Sequence, residues 1–332
     1  MTTLSPATNW AFTFDPRTRW FGVSRSLIAI AQAVTLLLTP ARYLIVPLDG
    51  APTAEPKCSG PAALSAYCLG GNDHSQVRQW IIVAILLVVA GGYRPRWTAL
   101  PHAYAAYSIV QSISLPDGGE SVAANITLII LPLAFIDNRH WHWTTRTDGE
   151  LGPTALSVSA AAAWAARIQV AYIYLDSAIS KFGVADWANG SAEYYFVRDN
   201  LFGATPVFKW IADPITRQPW GTAAMSWGAI VIEIVIAVLV LMRFRLRTIA
   251  LDLDLALHGS IILLMGLWSF SAIMIGAVII AASPSRTDTK HEPKGPTDHG
   301  QKWKEGRRSI RLQRSHRGKG APVLLEPERQ TA

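Results

Sequence analysis

Apolar residues collect in long runs along the first 282 positions, and short polar segments separate them. A helix needs about 20 apolar residues to cross a hydrocarbon core of ~30 Å. The runs 22–39, 78–93, 98–115, 119–136, 157–181, 222–242 and 248–266 are candidates on that measure. A shorter run, 268–282, follows directly. The segment 248–282 is tight for two full crossings, so one of that pair is expected to be short or re-entrant, and the count is seven or eight. The pattern predicts an all-α fold, a polytopic membrane helix bundle over 22–282, preceded by a polar N-terminal segment, 1–21. Longer polar segments at 40–77 and 182–218 read as loops on one side. The first run ends in Leu38-Thr39-Pro40, with no small-residue cleavage site, so it is expected to remain as a span.

Composition agrees with that pattern. Charged residues make up 16% of the chain, against about 25% in soluble domains. Half of the chain is hydrophobic and there are 13 tryptophans. An ordinary soluble protein, a disordered chain and a disulfide-rich scaffold are all poor matches. The net charge of +7 is unevenly placed. Residues 1–282 hold 18 Lys and Arg against 17 Asp and Glu, while 283–332 hold 12 against 6. The body is nearly neutral, and 283–332 reads as a disordered basic tail on the cytoplasmic side. Such a tail suits anionic lipid rather than nucleic acid, since Trp303 alone interleaves its basic residues.

Loop charge sets the expected topology. With the N-terminus cytoplasmic, the inside loops carry Arg17, Arg19, Arg94, Arg96, Arg139, Arg146, Arg243, Arg245 and Arg247. The outside loops carry Arg42, Lys57, Arg198, Lys209 and Arg217. An even number of spans, eight, places both termini in the cytoplasm. Trp20, Trp80, Trp97, Trp141, Trp143, Trp220 and Trp268 fall near span ends, as interfacial anchors do. The His140-Trp141-His142 triplet is a weak metal signal that an interface loop explains better, so no metal site is expected.

Cys58 and Cys68 are the two cysteines, and both lie in the 40–77 loop. A disulfide is expected there, either as a staple for a proline-rich loop or as a redox-active pair. The separation is unlike Cys-x-x-Cys, which favours the staple.

Ionisable groups inside a bilayer are functional candidates by default. The fifth run is the richest, with Arg167, Gln169, Tyr174, Asp176 and Lys181. Arg167, Tyr174 and Lys181 recur every seven residues and share a helix face; Gln169 and Asp176 form a neighbouring stripe. Candidate partners are Glu233 in the sixth run and Asp254 and His258, four apart, in the seventh. Lys181, Arg167, Asp176 and Glu233 are taken as the catalytic candidates, and Gln169, Tyr174, Trp187, Glu193, Tyr194, Glu120, Asp254 and His258 as pocket candidates. An internal ion-pair network that fixes helix register would use the same residues.

Arg167-Ile168-Gln169, Tyr174, Lys181, Ala185 to Gly190 and Glu193-Tyr194 resemble the transmembrane domain of vitamin K-dependent γ-carboxylase, within the horizontally transferred transmembrane superfamily. The resemblance implies that Lys181 stands at the family's base and that a quinone is a candidate cofactor. Beside it, Trp187, Gly190 and Tyr194 read as an interfacial re-entry just outside Lys181, which makes the 182–218 loop a lid over that face. The chain is similar over nearly its whole body to the bacterial sporulation-delaying protein B family. The matching segments are Gly22 to Ser26, Cys58 to Cys68, Gly92 to Arg96, Pro116 to Glu120 and Asp137 to Trp143. That similarity implies maturation or export of a secreted antimicrobial peptide, with a precursor peptide and a partner maturation protein. Gly118-Gly119-Glu120-Ser121 stands where the carboxylase has a histidine-containing turn, so glutamate carboxylation is not expected. The remaining classes are a transporter or immunity channel, and a quinone- or thiol-linked redox enzyme.

Overall fold

The computed structural model describes residues 13–46, 56, 58–69, 74–114, 117–144, 149–200 and 203–284. The chain divides into Met1–Asp288 and Thr289–Ala332, and every described residue belongs to the first unit. The basic tail from 285 onward and most of the N-terminal segment lie outside the described residues.

All regular structure among the described residues is helical, apart from an isolated antiparallel bridge between Tyr93 and Trp141. The chain runs through α1 (Arg19–Leu38), α2 (Ala41–Leu44), α3 (Ser75–Gly91) and α4 (Pro95–Ser112). It continues through α5 (Gly119–Ile129), α6 (Leu131–Ile136) and the long α7 (Pro153–Phe182). Three short helices follow, α8 (Ala185–Ala188), α9 (Ala192–Arg198) and α10 (Pro206–Thr216), where the sequence pattern reads as loop. The body closes with α11 (Pro219–Leu239), α12 (Phe244–Met265) and α13 (Trp268–Ala282).

Each of the eight apolar runs is helical, but they are not equivalent. By length and composition α1, α7, α11 and α12 can cross a membrane, while α3 and α13 are apolar but shorter. The 119–136 run is split between α5 and α6 at Ile130. Pro132 has no N–H for the bond that would continue the ladder there. In α4, Arg96, His102 and Gln111 dilute the apolar content. Helix ends follow local chemistry. Proline opens α4, α7, α10 and α11, where its missing N–H costs nothing. Thr18 caps α1 by accepting from the Phe21 amide at 3.3 Å.

No residue of α13 is exposed, and it packs against α1, α5, α7 and α12. A helix that is apolar all round belongs in such a position. Close approach to α1 is set by Gly276. A Cβ there would stand 2.7 Å from Ile28 Cγ1, and the Gly276 carbonyl accepts from Ser24 Oγ at 2.7 Å. A second apolar cluster, including Leu36, Ile82, Leu86 and Ile109, joins α1, α3 and α4 and takes in Tyr67.

Cys58 and Cys68 are joined, with Cα atoms 5.5 Å apart. The bridged loop is held on α4. Tyr104 Oη donates to the Leu64 carbonyl at 3.0 Å, Tyr107 Oη donates to the Pro61 carbonyl, and Ser65 and Ser112 hydroxyls bond at 2.8 Å. Much of the polar face of α4 is thus an attachment for this loop.

Candidate functional site

A cavity of about 500 Å³ lies among α7, α9, α11, α12 and α13. Its wall is mostly apolar, with Ile173, Ile232, Phe270 and Met274 among the lining residues. Ala224 of α11 and Ala256 and Ser260 of α12 line it and are exposed, so it opens between those two helices. Two groups of polar side chains break the apolar wall.

The first group is built on Lys181, near the C-terminal end of α7. Its ammonium donates to Glu233 Oε1 and Oε2, both at 2.8 Å, and to Ser177 Oγ at 2.7 Å. Those bonds use all three ammonium protons. Ser177 in turn donates to Glu233 Oε1 at 3.1 Å. The ammonium also lies 5.2 Å from the centre of the Trp187 ring, a cation–π contact. Glu193, from α9, lines the cavity beside them. Burial pushes its carboxyl above the ordinary glutamate value, and the Lys181 charge opposes that rise.

The second group lies deeper, one heptad back along α7. Tyr174 Oη donates to Asp254 Oδ1 and lies 3.0 Å from His258 Nε2. With the phenol O–H directed at Asp254, the tyrosine oxygen accepts from His258 Nε2–H. Among the described residues His258 Nδ1 is left as a buried acceptor without a partner, as is Asp254 Oδ2. Tyr174 and His258 line the cavity.

Other candidates stand elsewhere. Arg167 shares the face of Tyr174 and Lys181, but 14 residues of helix put it about 21 Å from Lys181. There it donates to the Ala281 and Ser283 carbonyls at 3.1 and 3.3 Å, and it lies over the Trp164 ring. It closes the C-terminal end of α13 and does not line the cavity. Asp176 is exposed and Gln169 half-buried, and neither lines it. Tyr194 stacks under Arg198, 3.9 Å from ring centre to guanidinium carbon, outside the cavity. Glu120 is buried at the start of α5, also outside it. Ser177 is the member that the sequence reading lacks, although its position four residues before Lys181 marks it as a neighbour. Phe270 and Met274, from α13, carry no local signal.

The segments Gly22 to Ser26, Gly92 to Arg96 and Asp137 to Trp143 meet at the opposite end of the bundle. Arg139 pairs with Asp137 at 2.7 Å and donates to the carbonyls of His142, Thr144 and Thr18 at 2.8, 2.9 and 3.3 Å. Ser26 Oγ donates to the Ala90 carbonyl at 2.6 Å, so at 3.0 Å it accepts from His142 Nε2–H. Backbone bonds run from His142 N to Gly92 O and from Arg94 N to His140 O, at 3.0 and 2.8 Å. His142 is thus a structural residue of this knot. Burial, with the Arg25 and Arg139 cations nearby, pushes it down to about 3. Among the described residues no group of three or more His, Cys, Asp or Glu is placed to hold a metal.

Two proteins of Bacillus subtilis (strain 168) are similar to the chain. The uncharacterized protein YitO is 33% identical over 275 residues, covering 81% of this chain and 87% of YitO. The sporulation-delaying protein SdpB is 29% identical over 275 residues, covering 82% of this chain and 83% of SdpB. No family model matches the chain. No solved structure matches it.

Proposed function

The chain belongs to the SdpB-like family that includes YitO, and from that membership and the Lys181 cavity we propose that it is a multi-pass membrane protein acting in the maturation or export of a secreted antimicrobial peptide. Its eight apolar helical segments cross the bilayer, α5 with α6 counting as one. The knot end faces the cytoplasm and the Lys181 end faces outward. Arg94, Arg139 and Arg243 to Arg247 gather near the knot end, as the positive-inside rule asks. Both ends of the body are cytoplasmic in this arrangement. Its partners are the lipid bilayer, a small precursor peptide and a partner maturation protein.

The observation that carries this reading is a Lys–Glu pair, saturated with hydrogen bonds, facing an apolar cavity. The pair is neutral overall, so an apolar ligand can enter without burying an unpaired charge. Proton transfer from Lys181 to Glu233 leaves a free amine, which is a base. A ligand anion that displaces Glu233 would instead bind the ammonium. Tyr174, Asp254 and His258 offer a second polar contact about 10 Å deeper along α7. An apolar body with one polar group, the shape of a peptide segment with a reactive end, suits both stations. The apolar lining, Phe270 and Ile232 among it, and the polar groups of Lys181 and His258 are the residues that would hold a quinone. Such a group would supply a reducible carbonyl as the quinone and an acidic hydroxyl as the quinol. The disulfide lies outside the cavity lining, which supports its role as a staple.

Lys181→Ala is expected to abolish secreted mature peptide in a producing strain while the protein still inserts in the membrane. Glu233→Gln is expected to reduce output at least tenfold, about 1.4 kcal/mol of lost stabilisation. Normal peptide output from Lys181→Ala would remove the reading.

A further inference from the structure

Helix α10 carries apolar residues on two opposite faces. Toward the bundle it places Ala212 and Thr216, both buried, and Thr216 Oγ1 accepts from Arg198 at 3.0 Å. Away from the bundle it presents Val207, Trp210, Ile211 and Pro214, all exposed, at the i, i+3, i+4, i+7 spacing of one stripe. Val207 and Trp210 are 68% and 71% exposed. Lys209, Asp213 and Arg217, four residues apart, run alongside. Asp213 pairs with both Arg198 and Arg217, which neutralises the carboxylate of that row and leaves it basic. Lys209 and Arg217 border a shallow hollow that also includes Trp210, Asp213 and Pro214.

The position of this helix decides what covers the stripe. It ends at Thr216, and α11, long and apolar enough to cross a membrane, begins at Pro219. Trp220, in the first turn of α11, is 73% exposed. A two-residue link holds α10 at the level where α11 enters the bilayer. In water an exposed apolar stripe of this kind is unfavourable. At the boundary of headgroups and acyl chains it is favourable, with tryptophan and basic residues as its usual companions.

The geometry points to α10 as an interfacial helix that binds phospholipid. Its Val207–Trp210–Ile211–Pro214 stripe enters the acyl boundary of the leaflet at the Lys181 end, and Lys209 and Arg217 hold headgroup phosphates. Through the Arg198 bonds to Thr216 and Asp213, α10 supports α9, which supplies Glu193 and Phe196 to the cavity wall. The lipid surface therefore seats one wall of the cavity. This rests on α11 crossing the bilayer and is independent of the peptide reading.

Site-directed spin labelling tests it directly. The two cysteines are joined to each other, so any introduced cysteine is the single free thiol. Ile211→Cys, Lys209→Cys and, as a depth reference, Val231→Cys are labelled in full-length protein in phosphatidylcholine–phosphatidylglycerol vesicles. All three positions are exposed, so folding should survive. Relaxation by oxygen over a water-soluble nickel chelate should be several-fold higher at 211 than at 209, and highest at 231. Equal nickel access at 211 and 209 would overturn the proposal, as would shielding of 211 from both agents, which marks a protein cover. Nickel access at 231 would overturn the crossing of α11, and the proposal with it.

Discussion

At one end of the bundle Arg139 makes four kinds of contact, all to groups fixed in the backbone or in Asp137, and the pair is 1% and 0% exposed. At the other end Lys181 and Glu233 meet as closely, but they are 19% and 11% exposed, and they face a cavity rather than packed chain. The first arrangement joins the Thr18, Gly92 and Asp137–Thr144 segments into one piece. The second joins α7 to α11, with Trp187 of α8 beside the ammonium, and leaves open space next to it. Similar residue types therefore serve two ends: a filled network ties separate segments together, and a partly exposed pair borders open space. The difference lies in what surrounds the charges, not in which charges are present.

The largest effect should come from breaking the filled network. Arg139→Ala leaves Asp137 buried without its cation, and losses of about 3–5 kcal/mol are usual for such a change. Thermal unfolding and protease resistance in detergent should show it, whereas Lys181→Ala should unfold close to the parent temperature. An equal loss in both would erase the contrast. Gly92→Ala should come next. Its φ is +85°, and an added Cβ would collide with the His142 ring and approach Trp143 Nε1 at 2.8 Å. The left-handed backbone alone costs roughly 1–2 kcal/mol. An unchanged melting temperature would show that the knot can shift to make room.

The finest test uses pH, because the two ends should respond with opposite sign. His142 is neutral in the fold and held down at about 3, against 6.5 in the unfolded chain. Between those values the unfolded chain binds a proton that the folded one refuses, so stability falls as pH drops from about 6.5 towards about 3. Glu193 is raised, so its folded form holds a proton longer than the unfolded form does. Stability from that group is complete below the ordinary glutamate value and is lost as pH rises through the raised one. His142→Asn should flatten the acid limb, and Glu193→Gln should flatten the other. Acid and base limbs that survive both substitutions would mean that other groups control them.

The helices were largely readable because their signals are local. Apolar run length marked each of the eight segments, while the helices opened by Pro95, Pro153 and Pro219 begin three or four residues ahead of the runs at 98, 157 and 222. Short helices α8 to α10 were less readable, since they form under tertiary packing within a mixed polar segment. At the site, the heptad of Tyr174 and Lys181 was visible, and Glu233, Asp254 and His258 stood out as polar residues in apolar runs. Arg167 fitted the same heptad yet sits at the middle of α7, two heptads from Lys181, because a shared face says nothing about depth along the helix.

Sequence alone determined the helical class, the position of each segment and the small set of charges held within them. Tertiary structure decided which of those charges meet. Lys181 and Glu233 are 52 residues apart, and Arg139 reaches Thr18 across 121. A helix that is apolar on every side offers little moment to show which face turns inward. That choice is made by close packing between helices, as at Gly276 against Ile28, and by the requirement that each buried polar group find a partner.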